Sequence, residues 1–362
     1  MTETKQKWSN LTLDRRHFLA ASGGAAALGL AGARTPAMGQ GKYAGQKVVF
    51  ASWGGSYQDA QKVSFCDALA KKTGVTVVQD GPVDYAKLRV MIQGGLPTWD
   101  VVDVTVDFLY AANQDKLFDK IDTKIVDVNR VDKNYVNEFG VGDIVSSYNV
   151  SYNTTIFPTG KNPKTWADLF DVQRFPGRRS LRDRVSPMLE LALLADGVEI
   201  EHLYPLDVDR AFKKLDTIKS HAIWWTTNSQ SQQFMIDGEA GVGVMINGRI
   251  FDAVQKGGKL GIEWHQNMQL VDYLVVPRGV KNPDLAMALI NEMTLPEHQA
   301  KIADLMALAP TNPDAFKLIS PSVLPWLSTT PANAQQGFLV NWDYWKDQYK
   351  PLAERWEAWK LS

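Results

Sequence analysis

The sequence predicts an α/β protein with two domains, and three observations support this prediction. Strand-like and helix-like segments alternate from about residue 41 onward, a layout typical of parallel sheets covered by helices. The hydrophobic content of 45% suffices for one large core or two moderate ones. The length of 362 residues favours two domains.

Residues 1–39 have the pattern of an export signal. Four basic residues between positions 5 and 16 precede an apolar stretch at 19–33, which is too short and too weakly apolar for a stable membrane span. The segment DRRHFLA is similar to a twin-arginine signal, although a general secretory signal with a chance arginine pair is the alternative. We expect a mature chain that starts near Gln40 and is soluble in the periplasm.

The first unit after the signal is VVFASWGGSYQDA, residues 48–60. Its apolar start predicts a buried strand, Gly54-Gly55 predicts a turn, and Ser56 with Asp59 predicts a capping box for the following helix. Trp53 and Tyr57 bracket this turn at the carboxyl end of the strand. Open α/β sheets bind ligands at such ends, so the turn is a candidate binding site, with an ordinary connecting turn as the alternative.

The remaining elements follow from apolar periodicity, prolines and caps. Strands are predicted at residues 75–79, 100–106, 146–152, 180–182, 222–225, 241–246, 261–264 and 270–276. Helices are predicted at residues 84–93 and at about 186–195, 208–220, 230–237, 283–295 and 296–308. A further helix is predicted to begin at a capping box formed by Thr165 and Asp168.

Composition and motifs argue against several classes of function. Beyond residue 40 the chain has 34 basic and 38 acidic residues, which gives no indication of nucleic-acid binding. The single cysteine, Cys66, lies on an apolar helix face, and the five histidines lack metal-ligand spacing, so no metal or cofactor is expected. The chain has no Gly-x-Ser-x-Gly motif, which disfavours an exported enzyme.

The mature chain contains an ordered set of segments, namely SWGGSYQDA with KKTG, WDVVDV, SYNTTIFP, KTWADLFD, FPGR, GEAGVGVMINGR, DYLVVPRGVKNPDLAMALINEM, LPEHQAKIA, APTNPDA, NWDYWKDQY and ERWEAW. This set resembles the periplasmic solute-binding proteins of ABC importers, in the branch with spermidine- and putrescine-binding proteins. The segments cover nearly the whole mature chain, and their order is more specific than any one of them.

This resemblance implies a type II periplasmic binding protein architecture, with two Rossmann-like lobes joined by crossing hinge strands. The first lobe would take residues 41–147 and 272–316, and the second would take 148–271 and 317–362. The export signal, the two-lobed alternation and the absence of a catalytic motif predict a monomer that catalyses nothing. A ferric-ion binder of the same fold usually resembles its family through adjacent tyrosines, which this sequence lacks. The resemblance implies a protein that closes around a small amine-bearing solute, such as putrescine or spermidine, and delivers it to a membrane permease driven by a separate ATPase.

The resemblance also implies a set of ligand-binding residues. Asp272 matches the aspartate that pairs with the ligand amine, Trp53 and Tyr57 match an aromatic wall, and Asp107 and Asp183 fall near further binding positions. The remaining candidates lie beside the expected cleft and are Ser56, Trp225, Thr227, Asn228, Asn247 and Arg249. For Trp225, packing beneath the loop is an equal alternative. For Asp272, the alternative is that it caps a loop or forms an internal ion pair with a cation such as Arg249 or Arg278.

Two features favour a different ligand class. Ile246 and Leu270 are aliphatic where the polyamine binders have aromatic residues. Arg182, Arg184 and Arg249 lie near the expected cleft, where one inward-facing guanidinium would clamp a carboxylate. The sequence therefore leaves open an ω-amino acid such as γ-aminobutyrate or a small carboxylate, and surface ion pairs are the alternative role for these arginines.

Overall fold

A computed structural model describes residues 41–362 of the chain. The predicted export signal lies outside these residues. The strands are β1 Lys47–Ala51, β2 Thr76–Asp80, β3 Val101–Thr105, β4 Val136–Asn137, β5 Gly140–Asn153, β6 Arg179–Arg182, β7 Ala222–Trp225, β8 Val242–Ile246, β9 Leu260–Val275, β10 Ala309–Pro310 and β11 Phe338–Leu339. In this part of the chain they form one continuous mixed sheet.

The helices cover the faces of this sheet. They are α1 Gly55–Gln61, α2 Asp67–Thr73, α3 Tyr85–Gln93, α4 Val106–Gln114, α5 Trp166–Phe170, α6 Val185–Ala195, α7 Val208–Asp216, α8 Asn228–Ile236, α9 Asn247–Gln255, α10 Pro283–Met293, α11 Pro296–Met306, α12 Pro331–Ala334 and α13 Trp342–Leu361. A π-helical segment, Lys62–Cys66, joins α1 to α2 without a break. No helix in residues 41–362 is both long and apolar enough to cross a bilayer.

The sheet has two parallel ends that meet at a pair of long antiparallel strands. Its order is β2-β1-β3-β9-β5-β8-β6-β7, with β4, β10 and β11 attached to the long central strands β5 and β9. β1 pairs in parallel with β2 and β3, and β6 pairs in parallel with β7 and β8. β5 and β9 run antiparallel to each other over most of their lengths.

The central strands differ from the sequence prediction in length. Segments 261–264 and 270–276, predicted as two strands, belong to the single strand β9. The predicted strand at 146–152 is the inner part of β5. Gln266 and Asn267 interrupt the apolar pattern at a break in the pairing with β5, between Glu263 and Met268, where Gln266 has a φ of 52°. Pairing with β5 on both sides of this break joins the two segments into one strand.

Helix starts confirm one predicted cap and correct another. Thr165 and Asp168 form the predicted capping box of α5. Ser56 and Asp59 do not form theirs, because α1 begins one residue before Ser56 and is preceded by Gly54. Gly54 has a φ of 75°, a conformation that favours glycine, and its N–H donates to the side chain of Gln58 at 2.9 Å.

Apolar side chains fill the space between the sheet and the helices on both sides of β5 and β9. Phe50 of β1, Val104 of β3 and Val244 of β8 are almost completely buried. Cys66 is also buried, as predicted for a small apolar side chain, and burial raises the pKa of its thiol to about 12. This packing fixes the strand ends that build the site described next.

Candidate functional site

A cavity of about 410 Å³ lies where the carboxyl ends of the strands meet. This volume is within the range of small-molecule sites, roughly 300 to 1,000 Å³. The cavity is lined by residues that directly follow β1, β3, β6, β7 and β8, and by the middle of β5 and β9. A smaller space of about 50 Å³ adjoins it and shares Trp53, Arg249 and Asp272 with it.

Six of the predicted site residues line the main cavity, namely Trp53, Asp107, Thr227, Asn228, Arg249 and Asp272. Trp53 packs edge-on against Tyr85 with ring centroids 5.9 Å apart. Thr227 caps α8, so the amino terminus of this helix faces the cavity. The positive end of a helix dipole favours an anionic group at this position.

Asp272 is half-buried in β9 and faces the cavity. Its carboxylate has no side-chain hydrogen bond or ion pair within residues 41–362. Burial, together with the neighbouring carboxylates Asp103, Asp143 and Asp107, raises its pKa well above the ordinary value. The predicted alternative, an internal ion pair with Arg249 or Arg278, is not formed in this part of the chain.

The three arginines near the cleft all line the cavity, but they differ in their partners. Arg184 forms an ion pair with Asp107 and donates from Nε to Tyr349 Oη at 2.9 Å. Arg249 has one side-chain hydrogen bond within residues 41–362, to Ser56, at 3.5 Å between Nη1 and Oγ. Arg182 makes no side-chain hydrogen bond within the described residues, and burial and Arg184 lower its pKa to about 9. It therefore keeps its charge at neutral pH.

Four predicted site residues occupy supporting positions. Trp225 is buried and does not line the cavity. Its ring lies beneath the guanidinium group of Arg182, whose central carbon is 5.6 Å from the ring centroid of Trp225. Asn247 is buried and bonds the backbone of Ser147, Ala307 and Trp326. Ser56 contacts Arg249 without lining either space. Asp183 faces away from the cavity and binds Lys360 at 2.5 Å and Trp356 at 3.0 Å.

Tyr57 lines only the smaller space, and its hydroxyl group is directed into the core. Its Oη lies 3.0 Å from Asp103 Oδ2 and 3.2 Å from Asp143 Oδ2. Gln61 bonds both carboxylates as well. The ring of Tyr57 can thus form an aromatic wall, as the resemblance implies, while its hydroxyl group is occupied by the buried acids.

Several lining residues were absent from the predicted set. Tyr85, Tyr148 and Trp342 supply further aromatic surface. Arg182 and Arg184, whose direction the sequence left open, supply charge. Tyr85 begins a helix just after a predicted strand, a position at which a site residue is expected. Trp342 comes from the start of the C-terminal helix, and no local sequence signal indicates its return to the cavity.

A partly enclosed cavity with aromatic walls and a few charged groups at strand ends is the arrangement of a small-molecule binding site. Residues 64–335 of this chain match the family of bacterial extracellular solute-binding proteins. The chain belongs to this family. Its mixed α/β architecture matches solved periplasmic binding proteins, which confirms the predicted fold class.

Three relatives illustrate the similarity. A gamma-aminobutyric acid-binding protein of Pseudomonas aeruginosa is 32% identical over 321 residues, which cover 87% of this chain and 91% of the relative. A spermidine/putrescine-binding periplasmic protein of Escherichia coli is 25% identical over 333 residues, 88% of each chain. A solved structure of a GABA receptor is 41% identical, with a TM-score of 0.81, and covers 87% of this chain and 98% of its own.

Proposed function

We propose that this protein captures a small ω-amino acid of the γ-aminobutyrate type and delivers it to the permease of an ABC importer. It acts in the periplasm as a monomer, after removal of its export signal, and it converts no substrate. The two lobes predicted from the sequence close around the solute. Binding of a small solute is the activity that its relatives' names describe.

The distribution of charge in the cavity is the observation that carries this proposal. The charged residues in the lining are Asp107, Asp272, Arg182, Arg184 and Arg249. Asp107 and Arg184 neutralise each other, which leaves one carboxylate and two guanidinium groups without an ion-pair partner in the described residues. A ligand with one ammonium and one carboxylate group matches this set.

The two ends of such a ligand find different partners. Asp272 would bind the ammonium group, and Trp53 beside it offers an aromatic face for cation–π attraction. Arg249, assisted by Arg182 and the amino terminus of α8, would bind the carboxylate. Ile246 and Leu270 supply aliphatic surface for a short methylene chain.

A polyamine fits this charge distribution less well. Its second cationic group would approach Arg182 or Arg249, and Asp107 is already paired. The sequence identities agree with this preference, since the relatives named for γ-aminobutyrate are more similar to this chain than the polyamine-binding relative is. These observations favour the ω-amino acid over the polyamine that the sequence resemblance first suggested.

Three compounds of equal chain length test the proposal by titration calorimetry and thermal shift. γ-Aminobutyrate carries both end groups, putrescine replaces the carboxylate by an amine, and butyrate lacks the amine. We expect γ-aminobutyrate to bind at least about tenfold more tightly than either control, a difference of about 1.4 kcal/mol. At a hundred times its Kd it should stabilise the protein by about 2.7 kcal/mol. Tighter binding of putrescine would overturn the assignment of the arginines, and exclusive binding of butyrate would overturn that of Asp272.

A further inference from the structure

The ion pair between Asp107 and Arg184 joins distant parts of the sheet across the cavity. Asp107 lies at the start of α4, directly after β3, and Arg184 lies between β6 and α6. Arg184 Nη2 donates to Asp107 Oδ2. The Asp107 side chain is only 6% exposed and that of Arg184 is 23% exposed, so the pair is shielded from solvent.

The strand order makes this contact dependent on the shape of the sheet. Three strands, β9, β5 and β8, separate β3 from β6. At about 4.8 Å per step, a flat sheet would hold these two strands roughly 19 Å apart. An arginine and an aspartate cannot bridge that distance with a direct hydrogen bond. The pair therefore forms only when the sheet is folded around the cavity.

The C-terminal helix holds Arg184 in this geometry. Tyr349 of α13 accepts the Nε–H of Arg184, and its ring centroid lies 5.6 Å from the guanidinium carbon. The helix α13 packs against both α4 and α6, the two helices that follow the paired residues. Tyr349 accepts from Nε of Arg184, while Nη2 of the same guanidinium group donates to Asp107. The hydrogen bond to Tyr349 thus orients the guanidinium group toward Asp107.

We propose that Asp107 and Arg184 form a latch that stabilises the closed form before any solute binds, with Tyr349 as its positioning residue. Neither charge is available to the solute, since each neutralises the other. The latch raises affinity indirectly. The apparent Kd equals the intrinsic Kd divided by the fraction of protein in the binding-competent form, so any shift toward the open form weakens binding.

A double-mutant cycle on the solute-free protein tests this latch by small-angle scattering. Asp107→Asn and Arg184→Gln should each increase the radius of gyration, and the double variant should expand no further than either single one. Tyr349→Phe should give a smaller expansion. The control is Asp115→Asn, which removes a charge just beyond α4 from an ion pair with Arg89 that does not cross the cavity.

Affinity supplies the second measurement, with γ-aminobutyrate as the probe. Asp107→Asn should weaken binding about 5- to 150-fold, the range of typical coupling between two states, while Asp115→Asn should leave it unchanged. Weaker binding by Asp107→Asn without expansion of the solute-free protein would show direct contact with the solute and overturn the latch. Additive expansion in the double variant would also overturn it. The scattering measurement uses no solute, so it remains decisive if γ-aminobutyrate is not the ligand.

Discussion

Asp272 interrupts the apolar sequence of β9 with a carboxylate that the described residues leave without a partner. Burying such a group costs free energy unless an opposite charge or hydrogen-bond donors compensate. Its raised pKa expresses that cost, because the neighbouring Asp103, Asp143 and Asp107 add negative charge to a partly dry environment. The ammonium group of the proposed ligand would supply the missing partner.

Replacing this carboxylate separates a binding role from a structural one. Asp272→Asn keeps the size of the side chain but loses its charge, and we expect affinity for γ-aminobutyrate to fall by about 2 to 4 kcal/mol, roughly 30- to 1,000-fold. The melting temperature of the solute-free protein should barely change, because the substitution breaks no side-chain hydrogen bond or ion pair within the described residues. Calorimetric titration and thermal melts measure both quantities. Arg278→Gln, outside the cavity lining, is the control for a general change of charge.

The buried acids Asp103 and Asp143 form a second feature at this scale. Tyr57 Oη lies within hydrogen-bond distance of both carboxylates but has one hydrogen to donate. If Tyr57 donates its hydrogen to Asp103, a protonated Asp143 can donate to Tyr57 Oη, which completes a series of hydrogen bonds from Asp143 to Asp103. Burial, followed by the charge of Asp103, raises the pKa of Asp143 to about 8, in agreement with this arrangement.

This proton predicts that the folded state loses stability as the pH rises. An unfolded aspartate has a pKa near 4, so between about pH 4 and pH 8 the folded protein binds more protons than the unfolded chain. Stability is therefore highest at the acid end of this window and is lost as the pH rises through the folded pKa, by at most about 1.4 kcal/mol per pH unit for one proton.

Chemical denaturation of the solute-free protein at several pH values measures this slope. Asp143→Asn should make it less steep, because an amide can donate to Tyr57 without a titrating proton, while Asp272, whose pKa is also raised, keeps part of the slope. Asp132→Asn, which removes an exposed turn carboxylate, should keep the wild-type slope. An equally steep slope in Asp143→Asn would assign the proton to another group.

At the scale of the elements, the loop after β6 shows how an extended backbone distributes side chains. Arg184 has a φ of −166° and a ψ of 138°, an extended conformation. Successive side chains in extended backbone point to opposite sides. Arg182 and Arg184 accordingly line the cavity, whereas Asp183 points to α13 and binds Trp356 and Lys360.

Asp183 is therefore expected to affect stability more than binding. Asp183→Asn should weaken the attachment of α13 and lower the free energy of unfolding by about 1 to 3 kcal/mol, because the ammonium group of Lys360 and the indole N–H of Trp356 lose a charged partner. Affinity for γ-aminobutyrate should change less than threefold, well under 1 kcal/mol.

Denaturant titration and calorimetry give these two values. Asp209→Asn is the matched control, since Asp209 also pairs with α13, through Arg355, but its side chain is 87% exposed. Such surface pairs contribute little to stability. A large loss of affinity in Asp183→Asn without loss of stability would return Asp183 to the ligand-binding set.

The sequence predicted elements well where one local pattern decided them. The helices that begin at Pro283 and Pro296 were predicted from proline at their first turn and apolar spacing. The sequence also indicates the direction of the Asp183 side chain, because successive residues at the end of a strand point to opposite faces of the sheet, and Asp183 directly follows Arg182. It was assigned to the site because an ordered resemblance gives position along the chain and no side-chain direction.

The remaining errors come from tertiary contacts that local sequence does not encode. The continuity of β9 depends on pairing with β5, and the return of Trp342 to the cavity depends on the packing of α13. The ion pair of Asp107 with Arg184 joins residues 77 positions apart. No pattern in either segment indicates that the two charges cancel, and the proposed ligand class depends on this cancellation.

At the scale of the whole molecule, β5 and β9 are the strands about which the sheet would bend. They connect the parallel group β2-β1-β3 to the parallel group β8-β6-β7. The register of β5 against β9 shifts between Gly142 and Ile144 and again between Tyr148 and Val150. Bulges of this kind interrupt pairing and increase local bending, so they are natural positions for a hinge.

Solute binding should therefore contract the protein, because it adds contacts from both strand groups to the same ligand. Asp272 lies in β9, where it pairs with β3, and Arg249 follows β8 on the other side of β5. A zwitterion favours the closed form only if it contacts both of these side chains at once. Hinge closure would leave each group of strands nearly rigid and change backbone angles at a few positions.

Small-angle scattering with saturating γ-aminobutyrate should give a smaller radius of gyration than the solute-free protein. Asp107→Asn should contract more than the wild type, because it starts from a more open ensemble, and both should reach the same bound value. Asp272→Asn at the same ligand concentration should contract little, since too few molecules are occupied. An unchanged or larger radius in the saturated wild type would contradict hinge closure, because a ligand that contacts only one strand group has no differential affinity for the closed form.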